Sequence, residues 1–218
     1  MFLPSIAIGA SISNEDIHRE FQCSPQGGMR RAHQTNSLVL VSDHFASIYD
    51  DRWVDSVLHY TGMGQKGDQQ LKGNQNRTLF ESRTNGVGVF LFEVFTPKPK
   101  EYVFRGRVEL ADAPYQEDQP DSSGDLRKVW VFPIQLASGK QLPPVTDDEL
   151  RPGVEHRTRH AERLPDQAVQ RRAEQAAQRS GSRQVITTQR TRDPYVIEHT
   201  KRRARGICQL CGNAAPFN

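Results

Sequence analysis

The feature that most constrains this 218-residue chain is a set of strand-length apolar segments crowded into its first 136 positions. Val89-Phe90-Leu91-Phe92-Glu93-Val94-Phe95 is almost continuously apolar and is closed by Pro97 and Pro99. Ser37-Leu38-Val39-Leu40-Val41 is a shorter run of the same kind. Residues 102–110 alternate apolar and polar side chains, as a half-buried strand does, and residues 128–133 and the stretch around Leu58 and Tyr60 complete the series. Two short helices are expected beside them. Ser13-Asn14-Glu15-Asp16 offers capping chemistry ahead of Ile17 and Phe21 on one face, and residues 76–83 form a second helix stopped by Asn85-Gly86. Several strands, few helices and no strand–helix alternation predict an α+β fold, a twisted β-sheet or small barrel with a few flanking helices.

Charge divides the chain. Residues 1–145 carry 15 Lys/Arg against 17 Asp/Glu, a net −2, whereas residues 146–218 carry 14 against 9, a net +5. With Leu142-Pro143-Pro144 marking the change, the expected organisation is a folded domain over 1–145, a basic, partly helical linker over 146–200 and the start of another domain over 201–218. Residues 158–179 are rich in Arg, Gln, Ala and Glu, with Pro165 near the first turn of a solvated linker helix, and Ser180-Gly181-Ser182 reads as a flexible break. No run approaches the ~18 apolar residues that a membrane span needs, so no membrane partner is expected. The N-terminus lacks the basic flank and long apolar core of a secretory signal, and three cysteines fit a reducing compartment. Together these imply a cytoplasmic protein.

The densest group of unusual residues lies between Ser42 and Asn76: Tyr49, Asp51, Trp53, then Tyr60-Thr61-Gly62-Met63-Gly64-Gln65-Lys66. Aromatic rings beside an acid and a Gly-rich turn suit a pocket for a flat polar ligand. Rings supply faces, a carboxylate accepts from an amino group, and glycines admit backbone amides. Turn glycines between strands with core aromatics would give the same composition. Gly27-Gly28-Met29-Arg30-Arg31 could bring backbone and Arg30 to an anionic group or serve only as a turn before a strand. Gln65 and Lys66 suit a probing loop or a solvated one, and Arg77 suits helix capping or ligand contact. Residues 116–121 read as an acidic loop, the histidines His18, His33, His44 and His59 as structural or surface groups, and Cys23 as inert. Near the end, Cys208-Gln209-Leu210-Cys211-Gly212 has the turn geometry of a zinc knuckle but supplies two of four ligands; two free thiols are the simpler alternative.

Taken together, Asp51, Tyr60-Thr61-Gly62-x-Gly64, Asn74-Gln75-Asn76-Arg77-Thr78-Leu79, Gly88-Val89-Phe90-Leu91, Tyr102-Val103-Phe104-Arg105-Gly106-Arg107-Val108 and Arg127-Lys128-Val129-Trp130-Val131-Phe132-Pro133-Ile134 resemble, in order, the motifs of SRA (SET- and RING-associated) domains over roughly residues 27–136. The resemblance is nearest to SRA-like domains fused to HNH nucleases in bacterial McrA-like restriction enzymes. It implies an SRA/PUA-like sheet and a double-stranded DNA partner carrying modified cytosine, 5-methyl- or 5-hydroxymethylcytosine, whose base is extruded from the duplex. By that resemblance Tyr60 stacks on the base, Asp51 accepts from its exocyclic amine, and Thr61 and Gly62 offer backbone groups. Gly28, Arg30, Arg31, Gln65, Lys66 and Arg77 then lie near DNA. The second stacking aromatic of the family is replaced by Ile48, which leaves Tyr49 or Trp53 for that role, with a widened pocket as one outcome of the departure.

The terminal Arg205-Gly206-Ile207-Cys208-x-x-Cys211-Gly212 resembles the opening of an HNH nuclease domain. That resemblance implies a modification-dependent endonuclease as the complete protein, with structural zinc held in part by Cys208 and Cys211. Magnesium or another divalent metal would serve cleavage, a homodimer is expected, and no catalytic residue lies in these 218 positions. A non-enzymatic PUA-like reader of modified DNA or RNA with a structural zinc tail fits the same residues.

Overall fold

In the computed structural model, the described residues (all but 1, 46–48, 122–124, 140–143, 164–165, 177–181, 184, 188–193, 208–211 and 215–218) divide into two units, Met1–Ile186 and Thr187–Asn218. The first runs β1 (Ser11–Ile12), α1 (Asn14–Phe21), β2 (Met29–Ala32), β3 (Ser37–Asp43), β4 (Arg52–Val54), β5 (Val57–Thr61), α2 (Gln75–Phe80), β6 (Gly88–Val94) and β7 (Tyr102–Leu110). It continues through β8 (Tyr115–Pro120), β9 (Leu126–Leu136), β10 (Val145–Thr146), α3 (Asp147–Ala161), α4 (Asp166–Ala176) and β11 (Val185–Ile186). The second holds α5 (Pro194–Ala204) and a single antiparallel bridge between Ile207 and Ala214. Among the described residues no helix is long and apolar enough to cross a membrane.

Nine strands form one open sheet in the order β2-β3-β6-β7-β9-β5-β4, with β1 on β7 and β8 on β9. Every pairing in it is antiparallel except β3 with β6, so the chain makes a long excursion after β3, part of it along the opposite edge of the sheet, before β6 runs parallel to β3. That excursion carries β4, β5 and α2. All seven residues of β6 are buried, because the strand has a core on each face. Val89 and Leu91 pack with Leu38, Leu40, Tyr60 and Phe132 on one side; Phe90, Phe92 and Val94 pack with Ile17, Phe21 and Phe104 on the other. A strand covered on both faces loses its polar alternation, which is why 89–95 is so continuously apolar. α1 has the anticipated capping box: the Ser13 hydroxyl accepts from the Asp16 amide, and the Asp16 carboxylate accepts from the Ser13 amide.

β7 departs from regular alternation at one point. Its register against β6 shifts between Leu91 and Phe92, Gly106 adopts φ +110°, and Arg105 becomes an extra residue. This β-bulge turns the Arg105 side chain inward, where it is 3% exposed.

Other expectations are corrected. Residues 116–121 are not a loop but largely the strand β8, paired with β9 over its whole length. Its inward side chains are polar because they meet polar partners: Glu117 pairs with Arg52, and Gln119 bonds Thr61. Residues 29–31 lie in strand β2 and do not merely precede one. The helical part of the basic segment begins earlier than Pro165, at Asp147. Thr146 and Glu149 cap that helix reciprocally, amide to carboxylate and amide to hydroxyl. Ser182 is held in place: its amide donates to the Trp53 carbonyl and its hydroxyl to Asp55. Residues 180 and 181 of the anticipated break lie outside the described residues.

Candidate functional site

The excursion between β3 and β6 brings three of the sequence-selected residues together. Tyr49, Asp51 and Trp53 line one cavity of about 400 Å³, with His44, Arg157 and Arg183 among its other described walls. That volume lies in the range of sites that hold a small planar ligand.

Asp51 is the chemical centre of this cavity. One carboxylate oxygen accepts from the Thr61 amide at 2.8 Å and the other from the Ser42 hydroxyl at 2.8 Å. A carboxylate has about four acceptor positions, so two bonds fix its orientation and leave capacity for a ligand donor. Burial pushes its pKa up to about 6, with the Thr61 and Ser42 bonds opposing the rise. The group is therefore ionised at neutral pH and poised to titrate just below it.

Tyr60, Thr61 and Gly62 stand behind Asp51 and are not among the described residues lining the cavity. Tyr60 is 3% exposed within the core, its hydroxyl donating to the Gly28 carbonyl at 2.9 Å. Burial, with the nearby Asp51 charge, raises its phenol well above the usual value. The approach at Gly28 is tight: a Cβ there would lie 3.3 Å from the Tyr60 hydroxyl, which would have to give by a few tenths of an ångström. Thr61 gives its amide to Asp51, while its hydroxyl accepts from Gln119. Tyr49 is half-buried, and desolvation raises its phenol.

The remaining selected residues divide by exposure. Arg30 is 3% exposed, with Nε on the Gly27 carbonyl, Nη1 on Asn14 and its guanidinium over the Tyr102 ring; it is a core group rather than a surface cation. Arg31 is bound to the Ser37 carbonyl and Asn36. Gln65 and Lys66 are exposed on the β5–α2 loop, and Arg77 is exposed beside Glu81. Cys208, Cys211 and Ile48 lie outside the described residues. No group of three His, Cys, Asp or Glu that could hold a metal occurs among the described residues.

Two supporting clusters were not legible from the sequence. In the first, the Gly62–Gln69 loop is held by Gln69, which donates to the Gly62 carbonyl and accepts from the Trp130 amide, and by Asn76, which bonds both backbone groups of Met63. Arg127 also donates to the Gly64 carbonyl. Gly62 is the point of closest approach: a Cβ would sit 2.6 Å from Asn76 Oδ1 and 3.0 Å from both Gln69 Oε1 and Phe132. Gly62→Ala is therefore expected to destabilise the domain by about 1–3 kcal/mol, read as a lower urea midpoint. An unchanged midpoint would show that the loop can give way.

In the second, Glu93 is fully buried and accepts from four residues. Arg105 Nε donates at 2.6 Å, Arg183 Nη1 and Nη2 at 2.7 and 2.9 Å, His44 Nε2 at 2.8 Å and Trp53 Nε1 at 3.0 Å. Burial alone would raise its pKa. The His44 and Arg183 hydrogen bonds and charges prevail and hold it well below the usual carboxylate range. Arg183 also stacks over Trp53, 5.0 Å from the ring centroid. The bulge at Gly106 places Arg105 in this cluster, so the fold irregularity and the site share one cause.

Among known structures, the fold is similar to the SRA domain of SUVH5 in complex with methylated CHH DNA, at 23% identity and TM-score 0.49, over 65% of this chain and 97% of that one. It is similar to the sulfur-binding and SRA domains of ScoMcrA complexed with phosphorothioated DNA, at 18% identity and TM-score 0.49, over 69% and 45% of the two chains. It is also similar to the modification-dependent restriction endonuclease AspBHI, at 16% identity and TM-score 0.44, over 87% and 55%. The chain thus spans only about half of those ScoMcrA domains and of AspBHI, and 32% of the Type IV phosphorothioation-dependent restriction endonuclease ScoMcrA. No curated protein sequence matches it. The family model described as "ScoMcrA-like, SRA domain" matches residues 8–148, well over half the chain, and the chain accordingly belongs to the ScoMcrA-like SRA domain family.

Proposed function

We propose that this protein reads modified cytosine in double-stranded DNA, receiving the extruded base in the cavity lined by Tyr49, Asp51 and Trp53. The observation that carries the reading is Asp51, a half-buried carboxylate fixed by Thr61 and Ser42 yet still able to accept, in the wall of a cavity sized for a base. The exocyclic amine is the donor that distinguishes cytosine from thymine, whose carbonyl oxygen at that position would face the carboxylate unfavourably. Extrusion costs a few kcal/mol of pairing and stacking, to be offset by contacts inside the cavity. Tyr49 takes the stacking role. Tyr60 acts from behind by holding the Gly28 turn, and Gln65, Lys66 and Arg77 are left as exposed DNA contacts.

In this reading the domain directs an HNH nuclease. Cys208 and Cys211 would supply two zinc ligands of that nuclease, and magnesium or another divalent ion would assist phosphodiester cleavage.

Gel shifts with unmodified, 5-methylcytosine and 5-hydroxymethylcytosine duplexes test the proposal. The wild type is expected to prefer a modified duplex, and Asp51→Ala and Tyr49→Ala to lose that preference. A 2-aminopurine next to the target base should brighten on binding as stacking is lost. Equal binding of all duplexes, or none, overturns the modified-base pocket.

A further inference from the structure

The family match ends at residue 148, yet the cavity wall does not. Leu150 and Arg157 of α3, and Ser182 and Arg183 beyond α4, line the same cavity as Asp51. Several contacts fix their placement. Gly153 lies against His44, where a Cβ would come within 3.1 Å of the His44 carbonyl oxygen, so α3 approaches more closely than a side chain there would permit. His156 packs on Phe45, and Arg157 Nη1 donates to the His44 carbonyl at 2.9 Å. Further along, the Ser182 amide is on the Trp53 carbonyl, and the Arg183 fork closes on buried Glu93. α3 and Ser182-Arg183 are therefore anchored at several points around one opening.

The two sides of that opening differ in charge. The domain side presents Asp43, Asp50 and Asp51 together with Arg52, whose guanidinium is taken up by Glu117, and the segment after residue 148 presents Arg157 and Arg183. Arg183 is committed to Glu93 by both terminal nitrogens. Arg157 is exposed, and its hydrogen bond to the His44 carbonyl uses one of five N–H donors. A nucleotide has the matching asymmetry, an amine-bearing base edge at one end and a phosphate at the other.

Building on the proposed base-reading function, we propose that α3 and Ser182-Arg183 form the second wall of the base cavity and that Arg157 binds the backbone phosphate of the extruded nucleotide. Arg183 acts as a positioning residue: it ties the segment to Glu93 and stacks on Trp53 without touching the ligand. The site thus extends past the family domain into the basic segment on its C-terminal side.

The test is the salt dependence of binding by the full chain to a duplex carrying the preferred modified cytosine and to its unmodified twin. One phosphate contact contributes about 0.9 to the slope of log K against log salt. Arg157→Ala is expected to lower the slope by about that amount on the modified duplex and to weaken binding about tenfold at low salt, with a smaller change on the unmodified duplex. Arg157→Lys should retain the slope, because the charge remains. Gly153→Val, which displaces α3 from His44, should reproduce the Arg157→Ala slope. If the wild type prefers the modified duplex but Arg157→Ala leaves the slope unchanged, the phosphate role is wrong while the base-reading function stands. A thermal shift in Gly153→Val without a slope change overturns it equally. If the wild type shows no preference at all, the base-reading function itself fails and this proposal fails with it.

Discussion

Asp51→Asn should make the protein more stable at pH 8 and, in the same substitution, blind to cytosine modification. The native fold raises the Asp51 pKa to about 6 from the 3.8 of an unperturbed aspartate, so the folded state holds this proton more tightly than the unfolded state does. Stability from this group is greatest below about pH 4, falls as pH rises, and is lost above about pH 6. Two pKa units correspond to about 3 kcal/mol of ionisation cost. Asparagine keeps the shape and can still accept from the Thr61 amide, but it carries no charge to bury. The advantage of Asp51→Asn over the wild type in urea unfolding should therefore grow between pH 4 and pH 8, toward a ceiling of about 3 kcal/mol less the weaker bonds to Thr61 and Ser42. A difference that is flat across that range would mean that the carboxylate is not strained. Binding should move the other way: without its amine acceptor the cavity no longer holds any extruded cytosine, only backbone contacts common to both duplexes remain, and the preference for modified over unmodified duplex should fall about 10- to 100-fold. In the wild type the same preference should weaken as pH drops through 6. The cost carried by the fold at this position is then the cost of keeping a charged acceptor inside a cavity.

Glu93→Gln is expected to have the larger effect on folding. The substitution removes the counter-charge of Arg105, which is 3% exposed, and of Arg183, leaving two guanidinium groups in the interior with a neutral partner. Breaking such a buried pair costs about 3–5 kcal/mol, which is most of the stability of a marginal domain. Adding Arg105→Met should recover part of the loss, since one uncompensated cation is removed with the anion. If the double variant is no more stable than Glu93→Gln, the ion cluster is not the source of the loss. The pH dependence has the opposite sign to that of Asp51. The Glu93 pKa is depressed, so its contribution is fully present above about pH 4.5 and disappears as pH falls through the lower folded value. Acid unfolding monitored by tryptophan fluorescence should be steep in the wild type and blunted in Glu93→Gln, because Trp53 donates to this carboxylate.

Much of the sheet was legible because its central strands are decided by burial. The apolar runs at 37–41 and 89–95 and the alternation at 102–110 mark β3, β6 and β7 directly. β8 was hidden because its inward positions hold Glu117 and Gln119, whose partners Arg52 and Thr61 are more than 50 residues away, and local pattern cannot announce a polar pair of that separation. The start of α3 was readable in Thr146-Asp147-Asp148-Glu149, a capping box, but Pro152 and Gly153 just beyond it obscured the helix. Gly106 in mid-strand was the local signal of the bulge. In the site, Asp51 stood out through its motif, whereas Ser42, Glu93, Arg157 and Arg183 did not. They act through tertiary contacts that span up to 113 residues, and nothing in their own neighbourhoods distinguishes them from ordinary polar residues.

The pairing of Glu93 with Arg183 also sets an order on biosynthesis. A chain emerging from the ribosome N-terminus first can complete the nine-stranded sheet once Leu136 is available, yet its cavity still lacks one wall. Until Arg183 has emerged, 90 residues after its partner, Glu93 must rely on Arg105, His44 and Trp53 alone. The opening around Asp51 therefore matures after the sheet, as translation nears the unit that begins at Thr187. A nascent chain can thus be a folded sheet well before it presents a finished binding cavity.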